Sequence, residues 1–212
     1  MSIGATVIVM LKEPLPGRVK TRLAQGIGEA AALRIYERLL RITAEALQEC
    51  PAEVLVMVAG TRFPKEAFPL EPCTWAFQEG DDLGARMQQA FRTAFARGAD
   101  RALIIGTDLP GLSKALVLEA LEALEKHPAV LGPTVDGGYY LLGLHDPMPP
   151  VFHEMPWSTD QVAQRTRERL RAQDLDWHEL AVQRDLDTPE DLRYFLAGRP
   201  EGQAFAKENI GE

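Results

Sequence analysis

Two apolar patterns alternate along the chain. Continuous runs such as Ala5–Leu11 (ATVIVML) and Val54–Ala59 (VLVMVA) suit strands buried on both faces, as in a parallel sheet. Thr74–Phe77 and Ala102–Ile105 are shorter runs of the same kind. Between them, residues at helical spacing form apolar faces. Leu33, Tyr36, Leu39, Leu40, Thr43 and Leu47 predict a helix from Gly28 to about Cys50. Met87, Ala90, Phe91, Ala94 and Phe95 predict another over Leu83–Ala96, with Gly98 as its stop. Ser113 is placed to cap a helix over Lys114–Lys126. Val130–Gly132 and Tyr139–Leu144 read as strands on either side of Asp136-Gly137-Gly138. Ser158 with Gln161 reads as a capping box for a helix to about Ala172, and Trp177–Val182 as a last strand. Thr188-Pro189-Glu190-Asp191 is a second capping box, with proline at the first helical position.

Strands that alternate with helices predict an α/β chain: one three-layer α/β/α sandwich on a mixed, mostly parallel sheet, the final strands running antiparallel. No internal repeat, low-complexity tract or linker interrupts it. We expect one domain over 1–197, followed by a loosely ordered tail over 198–212. Ligands of such sheets sit beyond the carboxyl ends of the strands, so the loops after strands one and four are where chemistry is expected.

Composition narrows the classes. With 46% hydrophobic and 25% charged residues, the chain is globular rather than disordered. No apolar run approaches the roughly 20 residues of a membrane span. The opening segment is charged too early for a secretory signal. Cys50 and Cys73 show neither Cys-x-x-Cys nor zinc spacing, so we expect free thiols in a cytoplasmic protein. A net charge of −8 argues against a nucleic-acid partner. Charge is nevertheless uneven: Lys12 to Arg22 holds four basic residues against one Glu. One basic loop in an acidic chain points to a small anionic ligand held at one place.

Four further segments could carry chemistry. In the basic loop, Gly17 permits close backbone approach, and Lys12, Lys20 and Arg22 could neutralise a di- or triphosphate, Arg22 clamping two oxygens. Gly17-Arg18-Val19-Lys20-Thr21 lacks the second glycine of a Walker loop, which argues against a P-loop kinase. Gly106-Thr107-Asp108-Leu109-Pro110 puts a carboxylate straight after a buried strand, where it could bind Mg²⁺ shared with substrate phosphates or simply cap a turn. Asp136-Gly137-Gly138-Tyr139 suits a tight turn or a surface lying flat against a ligand. In Arg184-Asp185-Leu186-Asp187, Asp187 could point back at a metal and Asp185 shares its face on an extended segment; both could equally be helix-start acids. Trp157 could stack on a ring or sugar, or belong to the core. The histidines at 127, 145, 153 and 178 show no metal spacing, and no Gly-x-Ser-x-Gly elbow is present.

Taken in order, Lys12–Leu23, Gly80–Met87, Gly106–Pro110, Gly132–Tyr140, Pro156–Thr159 and Asp185–Leu192 resemble a small bacterial family of uncharacterised transferases over residues 6–196. That family lies in the nucleotide-diphospho-sugar transferase superfamily, of GT-A fold, distantly similar to the guanylyltransferases of phospholactate and of the molybdenum cofactor. The resemblance implies that Lys12, Gly17, Lys20, Thr21, Arg22 and Arg86 bind nucleotide and phosphates. It implies that Asp108 and Asp187 hold Mg²⁺ or Mn²⁺, with Asp185 in reserve for Asp187. Gly137, Gly138, Tyr139 and Trp157 would face the acceptor, and Asp108, Asp187, Lys20 and Asp136 would be the catalytic set. The glycosyltransferase Asp-x-Asp pattern is broken by Gly106, leaving Asp108 alone.

The reading that results is nucleotidyl transfer from a nucleoside triphosphate to a small phosphorylated or acidic acceptor. Three positive charges suit a triphosphate better than a diphosphate with a sugar. Glycosyl transfer from a nucleotide sugar, with Asp136 as base or acceptor holder, is the alternative. A non-catalytic nucleotide-binding domain is the second.

Overall fold

The computed structural model describes residues 4–145, 151–152 and 154–197; His153 and the segment 198–212 lie outside them. Among the described residues, seven strands form one sheet flanked by six helices. In chain order these are β1 (Gly4–Lys12), α1 (Thr21–Ile27), α2 (Glu29–Ala46), β2 (Glu53–Ala59), β3 (Thr74–Phe77), α3 (Leu83–Ala96) and β4 (Ala99–Ile105). Then follow α4 (Lys114–Lys126), β5 (Ala129–Pro133), β6 (Tyr139–His145), α5 (Val162–Ala172), β7 (His178–Glu179) and α6 (Pro189–Leu196). No helix among them is long and apolar enough to cross a membrane.

The strand order is β3-β2-β1-β4-β6-β5-β7. β1 pairs in parallel with β2 and β4, β2 with β3, and β5 with β7; only β6 runs antiparallel, between β4 and β5. The carboxyl ends of β1, β2, β3, β4 and β5 therefore share one edge with the start of β6. Alternation along β1 divides its side chains between two layers. Val7, Val9 and Leu11 join a core built with α2 and α4. Ile8 joins the opposite core, built with α3 and α5. Both faces of β1 are thus buried, the physical reason its sequence is an unbroken apolar run. A third cluster, with Leu23, Ile35, Leu39, Leu186 and Leu192, ties α1, α2 and α6 together.

The element boundaries depart from the sequence pattern in four places. The basic loop closes earlier than expected, because Thr21–Ile27 already forms α1; Gly28, at φ 82°, separates it from α2. Ser158 does not cap α5. Its φ is 64°, and the hydroxyl that bonds there is that of Thr159, which accepts from Gln161 N at 3.3 Å. The strand expected over Trp177–Val182 is reduced to His178–Glu179, beyond which only scattered bonds continue along β5: Leu180 N donates to Leu131 O and Gln183 N to Pro133 O. β4 starts at Ala99, directly after Gly98 turns the chain out of α3 at φ 101°. The capping box of α6 forms as read: Thr188 and Asp191 exchange side-chain and backbone hydrogen bonds, and Pro189 opens the helix.

Candidate functional site

A cavity of about 700 Å³ opens at the shared edge, a size that suits a nucleotide-scale ligand. The end of β1 contributes Lys12, the loop after it Lys20, and the first turn of α1 Thr21 and Arg22. Thr107 and Asp108 follow β4, and Asp136, Gly138 and Tyr139 come from the β5–β6 turn. Arg86 of α3, Trp157 and Asp187 complete the set of candidates on its wall. Gly17 and Gly137 are not among the lining residues. Gly17 turns the loop at φ 68° with Glu29 beside it, where an added Cβ would stand 3.2 Å from the carboxylate. Gly137, at φ 88°, packs beneath Asp160: an added Cβ would lie 2.0 Å from the Asp160 carbonyl oxygen. Both serve turns that shape the cavity rather than its surface.

At the centre, the Lys20 ammonium stands 2.5 Å from Asp108 Oδ1 and 2.6 Å from Asp187 Oδ1. The lysine side chain is 3% exposed while the two acids are 43% and 39% exposed, so the cation is enclosed and the anions face the cavity. Burial works against the lysine's charge, but Asp108 and Asp187 outweigh it and hold its pKa above the ordinary value. Lys20 reaches this position from a left-handed backbone, φ 47°, sparsely populated for a residue with a Cβ. The two acids are fixed by main chain as well: Leu186 N, between Asp185 and Asp187, donates to Asp108 O at 2.9 Å.

Asp185 lies behind this trio. Its Oδ1 is buried with no hydrogen-bond partner in the protein. Burial, followed by the charges of Asp108 and Asp187, pushes its carboxyl up to about 8. Asp136 is engaged locally: its Oδ1 accepts from Thr134 Oγ1 at 2.5 Å and from Gly138 N at 3.1 Å. The Asp-Gly-Gly segment is thus a hydrogen-bonded turn whose outer face lines the cavity, uniting the two readings of the sequence. Tyr139 is turned inward; its hydroxyl meets Met87 Sδ at 3.7 Å and burial raises its pKa. Arg86 donates from Nε to Gly80 O at 3.0 Å. Trp157 crosses the first turn of α3 so closely that an added Cβ on Gly84 would come 2.7 Å from its ring.

Two wall residues escaped the motif reading. The Tyr36 hydroxyl accepts from Lys12 N at 2.8 Å and donates to Lys12 O at 3.1 Å, pinning the chain where β1 ends. Burial raises its pKa to about 12. A phenol on a mostly aliphatic helix face was the available signal. Gln78 donates both amide hydrogens to main chain, to Leu11 O at 3.1 Å and Met57 O at 2.9 Å. Only its place just after β3 marked it.

Two cavity-facing carboxylates on one ammonium are an all-oxygen donor pair, chemistry that fits a hard divalent ion. Mg²⁺ characteristically takes one or two carboxylates and completes its shell with water and substrate phosphate. Among the described residues no group of three or more His, Cys, Asp or Glu side chains could hold a metal, so this pair would share the ion with a ligand. Elsewhere, Cys50 and Cys73 are free. The rings of His127 and His178 lie 5.5 Å apart, and His127 Nδ1 is 2.9 Å from Asp176 Oδ2, an arrangement no sequence spacing announced.

Residues 37–159 match the model of a family described as "Uncharacterized protein conserved in bacteria (DUF2064)". Among curated proteins the sequence finds no significant match. A solved structure from Desulfovibrio desulfuricans, assigned provisionally as a nucleotide-diphospho-sugar transferase, is 31% identical; the alignment covers 99% of this chain and 96% of that one, with a TM-score of 0.89. Rv0371c from Mycobacterium tuberculosis, in complex with manganese, is 16% identical over 92% of this chain and 99% of its own, TM-score 0.57. The 2-C-methyl-D-erythritol 4-phosphate cytidylyltransferase of Thermus thermophilus is 19% identical over 98% and 100%, TM-score 0.53. The fold is that of the nucleotide-diphospho-sugar transferases.

Proposed function

The chain belongs to the bacterial DUF2064 family, and from that premise we propose that it is a metal-dependent nucleotidyltransferase, moving a nucleotidyl group from a nucleoside triphosphate to a small phosphorylated or acidic acceptor. One observation carries the reading: two carboxylates and a cluster of cations from distant segments meet on a single cavity. Lys12, Lys20 and Arg22 supply three positive charges, which match a triphosphate. Thr21 adds a hydroxyl and Arg86 a further guanidinium for the nucleotide. An acceptor oxygen attacks the α-phosphorus in line. A new P–O bond forms, the bond to the β-phosphate's bridging oxygen breaks, and pyrophosphate leaves with the electron pair. Asp108 and Asp187 would hold Mg²⁺ or Mn²⁺, which lends Lewis acidity to the phosphates. Gly138, Tyr139 and Trp157 border the acceptor's side, with Gly137 supporting the turn. Asp136, its Oδ1 held by Thr134 and Gly138 N, presents its carboxylate to the cavity wall, where glycosyl transfer would use it as base or acceptor holder.

A thermal-shift series tests the reading. ATP, GTP, CTP, UTP and their common sugar derivatives are each measured with and without Mg²⁺ or Mn²⁺. Ligand that binds only the folded state raises the midpoint by mass action. We expect a metal-dependent rise with one triphosphate that exceeds the rise with its sugar derivatives, and that Asp108→Asn abolishes. A larger rise with a nucleotide sugar would overturn nucleotidyl transfer in favour of glycosyl transfer. A rise indifferent to metal and to Asp108→Asn would leave a nucleotide-binding domain without metal chemistry.

A further inference from the structure

We propose that Lys20 is the resident counter-cation of the Asp108–Asp187 pair, and that it and a divalent metal exclude one another there. The inference rests on reading that pair as the metal site. The ammonium nitrogen lies 2.5 and 2.6 Å from the two Oδ1 atoms. A Mg²⁺ ion on the same two oxygens would stand about 2.0–2.1 Å from each. The two cations fall in the same space, so metal entry requires the ammonium to leave.

Leaving is costly on its own. The Lys20 side chain is 3% exposed, and an ammonium withdrawn from both acids into that interior would be a buried, unpaired charge. Asp185 does not offer a simple refuge on the cavity side, because its unpartnered Oδ1 lies buried. The cavity does offer one when it is filled. Thr21, Arg22 and Lys12 share its wall with Lys20, so a phosphate chain held by them would supply new anionic partners for the displaced ammonium. Metal and phosphates then enter together. In the absence of phosphate, the lysine offsets one of the pair's two negative charges and competes with the metal for its oxygens. Lys20 thereby couples two ligands through one movable charge, a linkage with a definite sign.

The experiment is titration of the chelator-treated protein with Mn²⁺ alone, the free ion followed by electron paramagnetic resonance. Wild type, Lys20→Met, Lys126→Met and Lys20→Met/Asp108→Asn are compared. Lys20→Met is expected to bind Mn²⁺ about ten-fold more tightly than wild type or better, since a site competent in only a fraction of molecules binds with an affinity lowered by that fraction. Lys126→Met removes the same charge at the end of α4, outside the cavity wall, and should bind as wild type does. Asp108→Asn should cancel the gain. Equal or weaker binding by Lys20→Met overturns the inference while leaving the metal site in place. Absence of Mn²⁺ binding in every variant removes the metal site and the inference together. Should Lys20→Met fail to fold, Lys20→Gln replaces it. In the wild type, the Lys20 ammonium signal in ¹H–¹⁵N spectra, sheltered by the pair, should be lost or shifted as Mg²⁺ saturates the site; an unmoved signal at saturation overturns the inference independently.

Discussion

Single side chains in this site act through charge and through main chain, and the two effects separate by mutation. Tyr36 holds both the N–H and the C=O of Lys12. Tyr36→Phe keeps the ring's packing and leaves that N–H without its acceptor, so a loss of about 1–3 kcal/mol is expected. Urea unfolding reads it as a lower midpoint at unchanged slope. Asp185 acts through charge. Its carboxyl is pushed up to about 8 in the folded protein, from an ordinary value of 3.8. A raised acid binds its proton more tightly when folded, so its contribution to stability is present in full below the unfolded value. That contribution declines as pH rises between 3.8 and about 8. Asp185→Asn carries no such titration. In the presence of a chelator, the stability of Asp185→Asn relative to wild type should therefore increase steadily across that window. A constant difference between the two proteins from pH 4 to 8 would show that Asp185 is already ionised in the fold.

At the scale of elements, the site depends on how loops are anchored to helices and strands. Asp187 immediately precedes the capping box of α6, where Thr188 accepts from Asp191 N and the Asp191 carboxylate accepts from Thr188 N at 2.9 Å. Thr188→Ala should cost about 0.5–2 kcal/mol and, by loosening the start of α6, weaken Mn²⁺ binding as well. Unchanged metal affinity in a destabilised Thr188→Ala would show that the cap holds the helix but not the acid. Legibility in the sequence followed the same anchoring. β1, β2 and β4 were visible because strands buried on both faces must be apolar throughout. α1 was not, because Leu23 is its only buried residue and seven residues with one buried position carry no period. β7 shrank because main-chain bonds beyond Glu179 are scattered rather than continuous. Asp108, Asp136 and Asp187 drew notice as acids in turns next to strand or helix ends. The enclosure of Lys20 between two of them could not be seen, since 167 positions separate it from Asp187 and no local pattern records such a contact. Asp185, in reserve for Asp187 on the same face of an extended segment, has its Oδ1 buried by the fold, whereas Asp187 faces the cavity.

For the whole molecule, the consequence is that binding and folding are linked through one small cluster. Leu186 is fully buried with Leu23, Ile35, Leu39 and Leu192. The two residues beside it in sequence are Asp185 and Asp187, and its own N–H fixes the Asp108 loop. The packing that seats α6 against α1 and α2 is therefore the packing that sets the distance between the acids. Leu186→Ala should cost about 2–5 kcal/mol, as large-to-small changes in a core do. It should also reduce Mn²⁺ affinity at temperatures where the protein remains folded. Leu124→Ala supplies the control: Leu124 is equally buried, on α4 in the main core, and is not itself part of the cavity wall. Comparable destabilisation with intact Mn²⁺ affinity is expected there. If both variants lose affinity alike, metal binding reports only the global folded fraction. If only Leu186→Ala loses it, the third cluster is the mechanical base of the site, and ligands that join the acids to the basic loop must in return tighten α6 onto α1 and α2.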